Sequence, residues 1–293
     1  MLSILIPTYN YDIFALAANV NRQCVLLQID FEVIVIDDAS GGFVSENSRI
    51  NSLNNCSYSI LPENVGRSKI RNLLASRAKY DWLLFLDADV LPVRDSFIAN
   101  YLEHTNKLQA VNGGILYTNK KPDDNKMLRW TYGKSREALP ANARSKNPYL
   151  AFLSLNFLIP KALFEQVKFD ESLPNLRHED TVFSYRLQQK NITVLHIDNP
   201  VYHLGLDTFD IMLNKEHESL QALKLLVESG KISPEYVKMG RYYAFLKKTS
   251  LAFFVSAFFE LTRKSLLSDI SKPNPSLFWY DVYRLGYLCS LKS

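Results

Sequence analysis

A chain of 293 residues suits one large domain or a main domain with an appendage, and 47 % hydrophobic with 22 % charged residues is the makeup of a globular protein, neither disordered nor membrane-spanning. With 34 basic residues against 30 acidic ones, the net charge of +4 is too mild for a nucleic-acid binder, which would carry basic stripes. The three cysteines, Cys24, Cys56 and Cys289, are odd in number and lack metal-binding spacing, so a reducing, cytoplasmic setting is expected.

The chain opens on the strand "SILIP" (Ser3–Pro7), with no basic start or long apolar segment to mark a signal peptide. From about Asp12 to Gln28 the residues Ile13, Leu16, Ala17, Val20, Cys24 and Leu27 keep a helical period and form one apolar stripe. Strand "EVIVID" (Glu32–Asp37) follows, then a short strand around Ser57–Leu61. The helix Gly66–Lys79 buries Ile70, Leu73, Leu74 and Ala78, and the strand Trp82–Leu86 comes next. Apolar runs alternating with such helices predict a mostly parallel sheet covered on both faces.

The middle is less regular. "AVNGGILY" (Ala110–Tyr117) and "SLNFLIP" (Ser154–Pro160) are expected strands. Between them, residues 120–146 look like a loop carrying eight Lys/Arg against three Asp/Glu. A helix opens near Glu179, "TVLHI" returns to strand, and the remainder is helical. Gly230 ends a helix over Asp207–Ser229, and Ser233-Pro234 is expected to start the next.

The chemistry gathers at the strand ends. In an open parallel sheet, ligands bind beyond the carboxyl ends of the strands. Three strands here end there in polar clusters: "IPTYN" (Pro7, Thr8, Tyr9, Asn10), "IDDAS" (Asp37, Asp38) and "LDADV" (Asp87, Asp89). Two carboxylates at the mouth of a buried strand repel each other and resist ionisation. A hard divalent cation, Mg²⁺ or Mn²⁺, relieves both costs and would bring a phosphorylated ligand with it. An Asp-x-Asp that merely caps the strand before Pro92 is the plainer alternative.

These residues resemble a known family. "SILIPTYN", "VIVIDDAS", "NVGRSKIRN", "WLLFLDADV" and "RHEDTVFSYRL" are similar, in order, to the successive motifs of the family 2 inverting glycosyltransferases with the glycosyltransferase A fold. The resemblance runs from residue 2 to about residue 205. It implies a nucleotide-diphosphate sugar donor, a divalent metal (Mn²⁺ or Mg²⁺) and an acceptor hydroxyl on a glycan or lipid-linked glycan. Carried over by position, Pro7, Thr8 and Tyr9 would line the base pocket and Asp38 would bond the base. Arg67 and Lys69, at a helix N-terminus that favours a diphosphate, would face the donor. Asp87 would touch the ribose or base side and share the ion with Asp89, the principal ligand, and with His203. Asp180 would be the general base, with Glu179 beside it to position the acceptor. Gly113 and Gly114 would lie on the acceptor side; the basic stretch 120–146 departs from the usual pattern and would close over the diphosphate, meet an anionic acceptor, or be a solvated loop. The implied organisation is a catalytic domain over 1–205, its donor half about 1–92 and its acceptor half about 110–205, followed by a helical C-terminal extension over 206–293. A sugar-nucleotide nucleotidyltransferase would share the sheet, but should carry a glycine-rich loop where "IPTYNYD" stands; a non-catalytic sugar-binding protein of the same fold is a third reading.

The last feature is "TSLAFFVSAFFELT" (Thr249–Thr262), flanked by Lys247, Lys248, Arg263 and Lys264. It is shorter than the ~18–20 apolar residues needed to span a bilayer. Two roles suit it: a helix packed in the core through Phe253, Phe254, Phe258 and Phe259, or a helix lying at a membrane interface. Basic residues at the ends rather than along one face favour the core role. A peripheral membrane contact at the inner face of the membrane stays as the alternative.

Overall fold

The computed structural model describes residues 1–173 and 177–291. Strands and helices alternate as β1 (Leu2–Thr8), α1 (Phe14–Leu26), β2 (Phe31–Asp37), α2 (Val44–Ser48), β3 (Cys56–Ile60), α3 (Arg67–Arg77), β4 (Trp82–Leu86), β5 (Val90–Pro92), α4 (Phe97–Leu102), β6 (Ala110–Asn112) and β7 (Ile115–Leu116). They continue as α5 (Met127–Tyr132), α6 (Ala141–Arg144), β8 (Asn156–Pro160), α7 (Lys161–Val167), α8 (Glu179–Gln189), β9 (Val194–His196) and β10 (Val201–His203). The chain closes with α9 (Phe209–Glu228), α10 (Lys238–Lys248), α11 (Ala252–Ile270) and α12 (Leu277–Ser290). By contact the chain divides into two units: 1–117, 137–173 and 179–205 form the first, and 118–136, 177–178 and 206–291 the second.

In the first unit seven strands run in the order β3-β2-β1-β4-β8-β6-β9. All neighbours are parallel except β8, which is antiparallel to β4 and to β6. Both faces are covered, which is why the strands are apolar without interruption. Leu2, Ile4, Ile6, Val33, Val35, Leu84 and Leu86 pack with α1 and α4 on one side. Leu5, Ile34, Ile36, Leu83 and Phe85 pack with α3, α7 and α8 on the other. There a cluster of rings joins strands to helices: Phe183 of α8 stacks on Phe169 at 4.4 Å, and Phe85 stacks on Phe157 at 4.8 Å.

The expected α/β class with a mostly parallel, helix-flanked sheet and C-terminal helices is what the chain forms. Three local expectations differ. The segment Ala110–Tyr117 is not one strand: at Gly114 the backbone turns to φ +86°, leaving β6 in the large sheet and β7 in a small one of order β5-β10-β7. The stretch 120–146 is not a plain loop, since α5 and α6 lie in it. Arg144, one of its basic residues, is buried in the first unit, donating to the carbonyls of Leu139, Asn112, Gly113 and Ile197 and reaching His196 Nδ1. Finally, Ser233-Pro234 opens only a turn, and α10 begins at Lys238.

The second unit is helical. Its core joins Leu128, Met212, Phe259, Leu266, Ile270, Tyr280 and Tyr283. An ion pair runs through it: Arg284 Nε donates to Glu216 Oε1 at 2.6 Å, and the Tyr280 hydroxyl donates to Glu216 Oε2 at 2.8 Å. Of the four phenylalanines expected as a core stripe on α11, only Phe259 is buried. Phe253, Phe254 and Phe258 are 74 %, 65 % and 54 % exposed, which corrects that expectation. No helix among the described residues is long and apolar enough to cross a membrane.

Candidate active site

The parallel register brings the polar strand ends to one edge. Because β1 lies between β2 and β4, Thr8 pairs with Asp37 at the edge where β4 runs on into Asp87. Thr8 is buried and its hydroxyl donates to the Tyr11 carbonyl, while Tyr9 is 55 % exposed beyond the strand end. Pro7 is half-buried at the same end. The neighbouring acids divide their work. Asp37 is buried, accepting from the Ser40 N–H and the Tyr58 hydroxyl, so it buttresses the loop after β2. Asp38 accepts the backbone N–H of Val65 at 2.7 Å and of Gly66 at 3.0 Å, so its carboxylate shapes the entry to α3.

From α3, Arg67 and Lys69 are exposed in the first turn. Arg71, one turn on, is buried and joins two distant segments. Its Nη2 donates to Asp87 Oδ1 at 2.6 Å, and its Nη1 lies 3.5 Å from Glu179 Oε1. Arg67 Nη1 is 3.7 Å from the same Glu179 oxygen. Burial opposes the charge on Arg71, yet Asp87 and Glu179 more than offset it and hold the guanidinium above its ordinary value. The pair Glu179–Asp180 occupies the first turn of α8, where the helix dipole favours carboxylates. Asp180 is nonetheless pushed up to about 6, first by burial and then by the adjacent Glu179 charge, with Arg71 and Arg67 opposing. Phe183, buried one turn further along α8, anchors this helix to the aromatic cluster.

Asp89 is held from the other side. Strand β10 is antiparallel to β5 and sets His203 opposite Val90. His203 Nε2 then lies 3.2 Å from Asp89 Oδ2, and the Leu204 N–H donates to the Asp89 carbonyl at 2.8 Å. A Cβ on Gly205 would collide with Asp89 Oδ2, so only glycine leaves room for that carboxylate. Tyr11 borders the same group: burial first, and then the Asp89 charge, raise its hydroxyl above the ordinary value.

The three residues expected to share an ion do not gather. Asp89 meets His203, whereas Asp87 is turned to Arg71. Among the described residues no group of three such side chains is close enough to hold a metal. Two ligands still fit the chemistry. A hard ion that keeps its waters and takes diphosphate oxygens needs only one or two protein ligands, and carboxylate with imidazole suits a Mn²⁺-type ion. The buried His203 Nδ1 has no hydrogen-bond partner among the described residues.

Sequence reasoning missed Arg71 and Tyr11. Arg71 did leave a signal, because it falls on the stripe Ile70, Leu74, Ala75 that α3 buries. A charge on a buried stripe requires partners of opposite sign. Tyr11 left none, being one more aromatic in a loop.

The sequence model for Glycosyl transferase family 2 matches residues 3–166. An uncharacterized glycosyltransferase of Haemophilus influenzae is 26 % identical over 226 residues, covering 71 % of this chain and 69 % of that one. Chondroitin synthase of Escherichia coli is 28 % identical over 241 residues, covering 69 % of this chain but only 34 % of that protein's length. Two solved structures share the fold at low identity. The mannosyltransferase PcManGT of Pyrobaculum calidifontis, in complex with GDP-Man and Mn²⁺, aligns with a TM-score of 0.55 at 13 % identity over 97 % of this chain and 85 % of its own. Glucosyl-3-phosphoglycerate synthase of Mycobacterium tuberculosis, in complex with Mg²⁺ and UDP, aligns with 0.53 at 14 % identity over 78 % of this chain and 79 % of its own.

Proposed function

The chain belongs to glycosyl transferase family 2 and is a glycosyltransferase with the glycosyltransferase A fold, and from that premise we propose that it moves a sugar from a nucleotide-diphosphate donor, a UDP-sugar, to a hydroxyl of a glycan or lipid-linked glycan, with inversion. The observation that carries this reading is the meeting of Asp87, Arg71, Glu179 and Asp180 on one side and Asp89 with His203 on the other, in one unit of the fold.

In this reading the exposed Tyr9, with Pro7 and Thr8, receives the nucleotide base, and Asp38 offers its remaining lone pairs there. Asp87 contacts the ribose side through the oxygen not spent on Arg71. Arg67 and Lys69, at the start of α3, face the diphosphate. Asp89 and His203 would hold a Mn²⁺ or Mg²⁺ ion, which when bound would neutralise charge on the departing nucleoside diphosphate. Asp180 takes the proton of the acceptor hydroxyl as its oxygen attacks the anomeric carbon from the face opposite the leaving group. A carboxyl raised to about 6 is a stronger base than an ordinary aspartate and is still ionised at neutral pH. Arg71 keeps Glu179 in place beside it. The catalytic domain is then residues 1–205, with a donor half of about 1–92 and an acceptor half of about 110–205, apart from 118–136 and 177–178, which group by contact with the helical extension 206–293. The UDP of the mycobacterial synthase and the metal ions of both structural relatives support the donor class and the ion.

The test is calorimetric titration with UDP and Mn²⁺, beside transfer assays over UDP-, GDP- and dTDP-sugars. Asp89→Ala is expected to abolish metal-dependent donor binding; unchanged affinity in that variant would overturn the metal assignment. Donor binding without transfer or hydrolysis of any of the three would leave a sugar-binding protein.

A further inference from the structure

The N-terminal half of helix α11, Ala252–Phe259, carries no charged residue, and its aromatic rings point to more than one side, of which one is buried against the rest of the second unit among the described residues. Phe259, Leu266 and Ile270 face the core of the second unit, where Phe259 meets Tyr283 at 5.2 Å. On the opposite side Phe254, Phe258 and Leu261 follow one another at helical spacing, with Phe253 beside them. They are 65 %, 54 %, 85 % and 74 % exposed. Surface helices of globular domains ordinarily turn charged residues to that side. Exposed apolar rows of this kind mark an interaction site.

Charge decides between the partners that could cover it. From residue 238 to residue 264 the chain carries six basic residues, Lys238, Arg241, Lys247, Lys248, Arg263 and Lys264, and a single acid, Glu260. Cations stand at both ends of the aromatic row; Lys247 is paired with Glu228 at 2.6 Å and Arg263 lies over the core-side Phe259 ring, so Lys248 and Lys264 are the ones that matter here. A second copy packed on this row, in either direction, would set Lys248 and Lys264 against like charges of its twin. An anionic bilayer surface does the reverse: its headgroups take the lysines and its acyl boundary takes the phenyl rings.

We propose that the outer face of α11 is a docking surface for anionic membrane, entered by Phe253, Phe254, Phe258 and Leu261 and flanked by the lysines at either end. The row from Phe253 to Leu261 is about 12 Å long at the helical rise. That is far short of the ~30 Å hydrocarbon core, so the helix lies at the interface and does not cross it. The basic residues at the ends, which count against a helix lying flat along its whole length, suit one that inserts by this aromatic stretch. The surface belongs to the second unit and is independent of the donor chemistry proposed above.

Co-sedimentation of the full chain with phosphatidylglycerol/phosphatidylcholine vesicles tests it, without donor or metal. The expected result is pelleting that weakens as salt rises and is marginal on phosphatidylcholine alone. The triple variant Phe253→Ser, Phe254→Ser, Phe258→Ser alters only exposed side chains and should fold. It is expected to partition at least about 100-fold more weakly. Lys248→Gln with Lys264→Gln should retain residual binding but lose the preference for anionic lipid. Donor binding, measured separately, should be the same in all three proteins, so failure here is distinct from failure of the transferase reading. Equal pelleting of the wild type and the triple variant, or none by either, overturns the proposal. So does a wild-type dimer in analytical ultracentrifugation that the triple variant splits while vesicles bind neither, which would assign the face to a second copy.

Discussion

Because burial and the charge of Glu179 raise the Asp180 carboxyl from an ordinary 3.8 to about 6, the folded chain holds that proton more tightly than the unfolded one does. Above pH 6 the group is ionised in both states and the folded state bears the penalty; below about pH 4 it is protonated in both and the penalty is gone. Asp180→Asn is therefore expected to be about 1–3 kcal/mol more stable than the wild type above pH 6, with the difference vanishing towards pH 4. Urea unfolding at pH 7.5 and pH 4 measures this. The same variant should keep donor affinity while transfer falls by roughly 10²–10⁴, the usual worth of a general base. In the wild type, transfer should rise with pH through about 6 as Asp180 loses its proton. If transfer stays near wild type in Asp180→Asn while Glu179→Gln is inactive, the neighbour is the base. Arg71 carries a different load. Arg71→Met leaves Asp87 and Glu179 partly buried without their shared cation, expected to cost about 3–5 kcal/mol in urea unfolding. Arg71→Lys should recover little of this, because one ammonium cannot span both carboxylates as a guanidinium does.

At the scale of elements, the short pairing of β5 with β10 does what neither strand does alone. It carries His203 to Asp89 from 114 residues away in sequence, and the segment that follows is tied to the Asp89 carbonyl by the Leu204 N–H. Gly205 comes next, against the Asp89 carboxylate. Gly205→Ala is expected to displace the Asp89 carboxylate by steric contact and weaken Mn²⁺-dependent UDP binding about tenfold or more, equivalent to at least ~1.4 kcal/mol. Metal-independent nucleotide binding should change little, and calorimetry with and without Mn²⁺ separates the two. The break at Gly114 is the second such device: it ends β6 and sends β7 to the small sheet with β10. Arg144 closes over that break with a fan of hydrogen bonds to backbone carbonyls.

At the scale of the whole molecule, the two units rest on different physics. The first is a sheet with two apolar faces and a cluster of phenylalanine rings; the second is helical and relies on the pairing of Glu216 with Arg284 beside Tyr280. The nearby Arg284, together with the Tyr280 hydroxyl, outweighs burial and lowers the Glu216 carboxyl. Glu216→Gln removes that charge and leaves a mostly buried guanidinium, so the second unit is expected to lose about 3–5 kcal/mol. Calorimetric scans should show an earlier transition in this variant. UDP binding below that temperature should remain, since the residues proposed to bind the donor lie in the first unit.

Local sequence determined a good deal of this. The alternation of apolar runs with helical stripes was enough for the parallel α/β class, because a strand covered on both faces must be apolar at every position. The carboxylates at the strand ends stood out because charge next to buried strand needs a reason. What local period cannot carry is partnership across the chain. That Arg71 joins Asp87 to Glu179 108 residues on, and that His203 reaches Asp89 while Asp87 turns away, follow from which strands and helices become neighbours. The same holds for exposure on α11: its four phenylalanines point to more than one side of the helix, so their spacing alone does not choose the buried face. Only the packing of α12 against Phe259 settled which side is core and left Phe253, Phe254 and Phe258 facing water.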